Sequence, residues 1–197
     1  EEILIVDTGY DASIRETLVP YFKEHKLSLS KDRYALNTHS DYDHMGGNAA
    51  VKELMPNALI CCGERDRPMI ENLQLMIDDR YNEFAHDHDF AESQEALDFI
   101  RTVAFETKID IGFAGNERID LGGRMVEILH TPGHSWGHVS VLDEQTGVVI
   151  QRAVWVAAIC VQLKAFHQSG KLPFGGVQTD LHASGRPAMH GVQNVCT

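Results

Sequence analysis

No run of apolar residues in this sequence approaches the roughly 20 needed to cross a bilayer, and no signal peptide is visible. A helical membrane protein is therefore not expected. Positive charge is also scarce: 17 Lys and Arg stand against 29 Asp and Glu, a formal net charge of −12. Nucleic acid is not expected as a partner, because phosphate binding needs clustered Lys and Arg, and an anionic membrane surface is disfavoured for the same reason. The four cysteines, Cys61, Cys62, Cys160 and Cys196, form no CxxC pair. Cys61 and Cys62 lie in an apolar, strand-like run that predicts buried free thiols, and a reducing cytoplasm is the compartment this suits. There is no internal repeat and no low-complexity tract.

What the sequence does contain is the composition of an ordinary globular domain: 43% apolar and 23% charged residues over 197 positions. That length is enough for one domain with a real core. Residues 3–6 read as a buried strand that starts abruptly, so upstream residues are expected to be missing. Ser13 with Glu16 forms a capping-box pair, and Ile14, Leu18, Val19 and Phe22 repeat at helical spacing. Pro20 should kink that helix or shift its start. Residues 34–37 and 58–62 read as strands, with a helix at 48–54 between them. Two helical stretches are predicted within 66–105, forming a lid or wall over a site. From residue 109 the pattern becomes β, with strands at 118–121, 125–129, 139–142 and 148–150 and a hairpin signal at 143–147. Alternating strands and helices followed by a run of strands predict a layered α/β architecture.

Two short stretches carry the chemistry. In His39-Ser40-Asp41-Tyr42-Asp43-His44-Met45-Gly46-Gly47, four potential metal ligands fall within six residues. Imidazole nitrogens and carboxylate oxygens are the donors that zinc and related ions take in hydrolytic sites. On an extended strand end, residues 39, 41 and 43 would project to one side, and the following turn would bring His44 round. A solvated polar turn at a helix start is the bland alternative, since Asp is common there. Two His and two Asp directly before Gly-Gly argue against it. The second stretch, His130-Thr131-Pro132-Gly133-His134-Ser135-Trp136-Gly137-His138, uses a Pro-Gly turn to present His134. His130 and His138, taken singly, read as ordinary hydrogen-bonding histidines. The stretch His86-Asp87-His88-Asp89 reads as a solvated loop, and Tyr81, Phe84, Trp136 and Trp155 as core residues before pocket lining.

Together these stretches resemble the metallo-β-lactamase superfamily, whose pattern is His-x-His-x-Asp-His, Gly-Gly, and later Thr-Pro-Gly-His-Ser-x-Gly-His. Asp7-Thr8-Gly9 after the first strand matches as well, and the resemblance covers about residues 1–151. It implies an αββα sandwich, a single domain over 1–197, with one or two metal ions at the sheet edge. By the same resemblance His39, Asp41 and His134 hold the first ion. Asp43 and His44 belong to the second, with Asp43 also orienting the attacking water. The ion would lower the pKa of a bound water to near neutral and polarise a carbonyl. The implied activity is a metal-dependent hydrolase acting on a small ester, thioester or lactone, within the broad glyoxalase-II-like group. Zinc is the expected ion, and iron or manganese the alternative. β-Lactams are disfavoured, because a secreted enzyme would be expected for them and no targeting segment is seen.

The sequence departs from the family pattern in two places. Asp41 stands where the family has its second His, adding negative charge and favouring a harder ion. The bridging Asp expected after the strand at 148–150 is absent: the chain reads Gln151-Arg152-Ala153, and an Arg cannot ligate a metal. For the final His ligand the counterpart available is His190, followed by Gly191, ahead of His167 and His182. Two other readings follow from these departures. One is a metal-binding but catalytically impaired protein. The other is a mononuclear iron enzyme like the persulfide dioxygenases.

The same point in the chain carries a break in composition. All but one of the 29 acidic residues lie within 1–151, and the 46 residues after that hold only Asp180. Residues from about 152 are therefore expected not to carry the family's usual C-terminal segment, as after a frameshift or recombination. Peptide mass spectrometry of the natural protein checks this: Arg152 found within an intact reading frame would refute the frameshift.

Overall fold

The strands near the N-terminus are rich in apolar residues, as parallel sheets covered on both faces require, although β2 also carries Asp32, Arg33 and Asn37. The computed structural model describes residues 2–83, 85 and 91–151. Its first sheet is parallel, ordered β1 (Ile3–Val6), β2 (Asp32–Asn37), β3 (Leu59–Gly63) and β4 (Ile111–Phe113). The second is an antiparallel meander of β5 (Glu117–Asp120), β6 (Met125–His130), β7 (Val139–Asp143) and β8 (Val149–Ile150).

Period-2 alternation divides the side chains of the first sheet between two cores. Leu36, Cys61 and Phe113 pack against Ile119, Val126, Ile128, Val139 and Val141 of the second sheet. Ile5, Ala35, Ile60 and Cys62 face the other way, towards Ile14, Met45, Val51, Ile70, Met76 and Ile100 on helices. Helices, parallel sheet and antiparallel sheet thus stack as layers of an α/β sandwich. Among the described residues no fourth, helical layer covers the second sheet. Residues 152–197, where an atypical tail is expected, lie outside the described residues.

The helices are α1 (Val19–Glu24), α2 (Tyr42–Met45), α3 (Asn48–Leu54), α4 (Arg67–Glu71), α5 (Leu73–Met76) and α6 (Gln94–Val103). The capping box expected at Ser13 does not form. Ser13 lies inside the helical turn, and its hydroxyl instead accepts the Tyr10 N–H at 3.0 Å. A π-helical stretch, Ser13–Leu18, precedes α1, and Pro20 sits in the first turn of α1. Pro20 has no N–H to pair with the Glu16 carbonyl in regular α geometry, and the π-helical stretch directly before it is where the regular ladder is broken. The Gly46-Gly47 pair is demanded by close packing. A Cβ on Gly47 would lie 2.4 Å from the Thr8 carbonyl oxygen, and one on Gly46 2.5 Å from that of Val103. Cys61 and Cys62 are buried free thiols, as expected.

One buried group works against the fold. Both carboxylate oxygens of Asp32, at the start of β2, are buried without a hydrogen-bond partner among the described residues. Burial pushes its pKa up to about 7. A carboxyl with a raised folded-state pKa contributes its stability below its unfolded pKa and loses it as pH rises through the folded value. The protein should therefore lose about 2–4 kcal/mol between pH 4 and pH 8 from this group. Urea unfolding of Asp32→Asn across that range checks it: the variant should be the more stable at pH 8, and parity at both ends would contradict the assignment.

Candidate metal centre

Open parallel sheets place functional groups beyond the carboxyl ends of their strands, and this chain does so three times. Asp7 follows β1, the His39 stretch follows β2, and Asp66 follows β3. The loop between β6 and β7 brings His134 and His138 to the same edge. The Val139 N–H donates to the Thr38 carbonyl at 2.9 Å, which joins the start of β7 to the end of β2.

The expectation that residues 39, 41 and 43 share one side of a strand is corrected here. Asp41 is the last extended residue, with φ −65° and ψ 144°, and α2 begins at Tyr42. Helical geometry then carries the Asp43 side chain outward, where it is 42% exposed. Three of the expected residues do come together. Single ligand atoms of His39, Asp41 and His134 all lie within 4.8 Å of one another. Asp41 Oδ2 is 3.3 Å from His39 Nε2 and 2.9 Å from His134 Nε2. Asp43 and His44 lie outside this trio. His44 Nε2 is 3.5 Å from Asp43 Oδ2, and its Nδ1 is 2.9 Å from Asp7 Oδ2. The His39 and His44 rings are nevertheless adjacent, with centroids 3.9 Å apart. His190 and Arg152 lie outside the described residues, as do Phe84, Trp155, His167, His182 and the stretch 86–89.

Hydrogen bonding behind the site fixes the His39 tautomer. The Thr38 hydroxyl is 3.0 Å from both Asp7 oxygens and 2.9 Å from His39 Nδ1. A carboxylate only accepts, so Thr38 spends its single proton on Asp7 and must accept from His39 Nδ1–H. His39 Nε2 is left with a lone pair, buried and without a hydrogen-bond partner among the described residues, facing Asp41. Outer-shell acceptors orient metal-binding histidines in this way. Burial lowers the pKa of His39, which keeps that lone pair free. His138 shows the same pattern. Its Nδ1 is held by Thr131 at 2.9 Å, its Nε2 is buried without a partner among the described residues, and burial first, then His39 and His134, push its pKa down to about 4. Its ring centroid lies 5.4 Å from that of His39, so it faces the site as an unassigned fourth imidazole.

Two residues that sequence reasoning missed hold the site together. Asp66 is fully buried and accepts the Ser40 N–H at 3.1 Å, the Ser135 O–H at 2.6 Å and the Gly137 N–H at 2.7 Å. One carboxylate therefore fastens both histidine-bearing loops. Arg80, in the π-helical stretch Ile77–Tyr81, forks onto Asp41 with Nε–Oδ1 at 2.6 Å and Nη2–Oδ2 at 3.1 Å. Burial alone would raise the pKa of Asp41, but its close polar contacts with His134, His39 and the Arg80 guanidinium hold it well below the usual carboxylate range. Tyr81 accepts the Tyr42 N–H at 3.4 Å and packs on the Tyr42 ring, so this stretch does form a wall of the site. Trp136 is 73% exposed, at the rim, and is not a core residue.

The family description "metallo-beta-lactamase superfamily" matches residues 1–150. The chain belongs to the metallo-beta-lactamase superfamily. Among curated superfamily relatives, it is 26% identical over 135 residues to "Glyoxylase B2" of Dictyostelium discoideum, covering 68% of this chain and 39% of that protein. It is 24% identical over 116 residues to a "Hydroxyacylglutathione hydrolase" of Rippkaea orientalis, covering 56% of this chain and 31% of the relative. The chain thus spans only about a third of the length of these relatives. Solved structures share the fold. A metallo-beta-lactamase family protein from Thermus thermophilus matches with TM-score 0.61 at 19% identity, covering 85% of this chain and 60% of that one. The metallo-beta-lactamase of Legionella gormanii matches with TM-score 0.54 at 18% identity, covering 71% and 47%.

The Asp66 clamp makes a direct prediction. Asp66→Ala strands three buried donors and should cost about 3 kcal/mol or more in urea unfolding. Asp66→Asn, which keeps one carbonyl oxygen, should lose less. A loss below about 1 kcal/mol in Asp66→Ala would show that the two loops are held by other contacts.

Proposed function

We propose that this superfamily member is a metal-dependent hydrolase of a small ester, thioester or lactone, with His39, Asp41 and His134 as the primary ion site. The convergence of those three donor atoms carries the reading. Their chemistry fits a divalent ion: two imidazole nitrogens and one carboxylate oxygen, gathered at one point. The contacts of His134 Nε2 support the fit. It lies 2.9 Å from an Asp41 oxygen and 2.8 Å from Arg80 Nη2, yet one ring nitrogen cannot donate to the first and accept from the second. An ion bound to Nε2 and Oδ2 would satisfy both ligand atoms. Zinc is the ion we favour, and when bound it would activate water and polarise the substrate carbonyl.

The remaining roles fall to the chain itself. Asp43, exposed at the mouth beside His44, would orient water and accept its proton. Together with Asp43, His44 and His138 are the groups through which a second ion would be held, and His190 is proposed as a further ligand. Tyr10, Tyr42, Tyr81 and Phe99 form a chain of ring contacts beside Asp41, an apolar wall against which an acyl group would pack. The names of the curated relatives favour a hydroxyacyl thioester as the first substrate to try. Buried free thiols suit a cytoplasmic setting.

A second reading has an observation of its own. Two imidazoles and one carboxylate are also the donor set of mononuclear iron oxygenases, which favours an iron enzyme of the persulfide-dioxygenase kind.

Elemental analysis with activity assays separates the readings. One or two zinc per chain and hydrolysis of a hydroxyacyl thioester, lactone or ester are expected. His39→Ala and His134→Ala should lower kcat/KM more than about 100-fold, beyond the effect of outer-shell changes. One iron per chain with persulfide oxidation would support the second reading instead. Absence of bound metal after purification in zinc would contradict both.

A further inference from the structure

The charge balance at Asp41 sets this chain apart from the pattern it matches. Where the superfamily pattern has a neutral imidazole, Asp41 brings a buried negative charge, and Arg80 brings a permanent positive one to meet it. The guanidinium does more than neutralise. Its Nη2 lies 3.1 Å from Asp41 Oδ2 and 2.8 Å from His134 Nε2. Those two atoms are both members of the ion-binding trio. His134 Nε2 has a single lone pair, so it either accepts the Arg80 N–H or binds an ion. Arg80 is mostly buried, with 18% of its side chain exposed, so water screens little of its repulsion for a dication.

We propose that Arg80 is a resident counter-ion that competes with the metal for Asp41 and His134, holding the metal-free site together and setting the ion affinity. This rests on the metal-dependent reading above. In the metal-free protein the Asp41–Arg80 fork satisfies a carboxylate that would otherwise be buried unpaired. His134 Nε2 and Asp41 Oδ2 would hold the ion, and Arg80 Nη2 would have to withdraw from both. Nε can keep its bond to Asp41 Oδ1 at 2.6 Å, so Asp41 would bind the ion through one oxygen. Arg80 is in this sense a positioning residue that also determines ion affinity.

Zinc titration of chelator-stripped protein against a chromophoric competitor tests the proposal, using wild type, Arg80→Met and Arg80→Gln. Both variants should bind zinc at least about ten-fold more tightly, as expected when a competing cation is removed. Without metal they should melt below wild type, because Asp41 is left unpaired. Zinc should raise their melting temperature more than it raises that of wild type. Weak but measurable zinc binding by wild type, with tight binding by the variants, would support the proposal equally. Variants that bind zinc no more tightly than wild type would overturn it, assigning Arg80 to the orientation of Asp41 alone. Failure of every protein to bind zinc would instead remove the metal site on which the proposal stands. A measurement on wild type needs no variant: the Arg80 Nε–H resonance should shift when zinc is added and return with chelator. A resonance indifferent to zinc that demonstrably binds would also overturn the proposal.

Discussion

A single buried carboxylate, that of Asp66, underlies the site. The two loops bearing His39 and His134 come from different sheets, and neither loop has regular secondary structure to hold it. Asp66 joins them by taking N–H and O–H donors from Ser40, Ser135 and Gly137. A buried charge is costly unless it is fully hydrogen-bonded, and here three donors satisfy both oxygens. The backbone bond from Val139 to Thr38 adds a second joint between the sheets. Close approach follows: a Cβ on Gly137 would lie 2.4 Å from the Asp66 nitrogen. Glycine is needed there because the clamp leaves no room for a side chain.

Within that frame the imidazoles are prepared by their neighbours. Thr38 relays Asp7 to His39, and Thr131 holds His138 Nδ1, while the Nε2 of each ring has no hydrogen-bond partner among the described residues. Asp7 itself adopts φ +61°, a left-handed conformation that Asp tolerates better than most residues, and its carboxylate bonds the Thr38 N–H at 2.7 Å. Thr8, Asn37 and Asn48 form a buried polar knot around the His44 carbonyl, which fixes the start of the turn through Gly46-Gly47. The result is a cluster of imidazoles and carboxylates whose contacts a bound cation would satisfy.

Much of this was legible in the sequence because it is local. The strands of both sheets other than β4, the helix at Asn48–Leu54 and the ligand types at strand ends all follow from periodicity and residue chemistry. Asp43 was misplaced on a strand face because the helix start at Tyr42 falls in the middle of the motif, and an Asp before a helix reads equally as cap or as ligand. Ser13 was misread for a related reason: a capping-box pair is a local signal, and Tyr10 captured its hydroxyl from outside the helix. Asp66 and Arg80 were missed. Each acts across 26 or more positions of chain, and charged residues in connecting segments are ordinarily solvated. For Asp66 a signal existed: it stands three residues beyond a buried strand, where Asp7 and His39 also stand after theirs. Arg80 offered none, since only the fold brings its helical turn against Asp41.

The central claim is that His39, Asp41 and His134 bind one ion together. Anomalous diffraction at the zinc edge from zinc-soaked crystals tests it most directly. The account predicts a peak about 2.1 Å from His39 Nε2, His134 Nε2 and Asp41 Oδ2. A zinc peak bound elsewhere in the chain, with Arg80 still forked onto Asp41 and against His134, would contradict it.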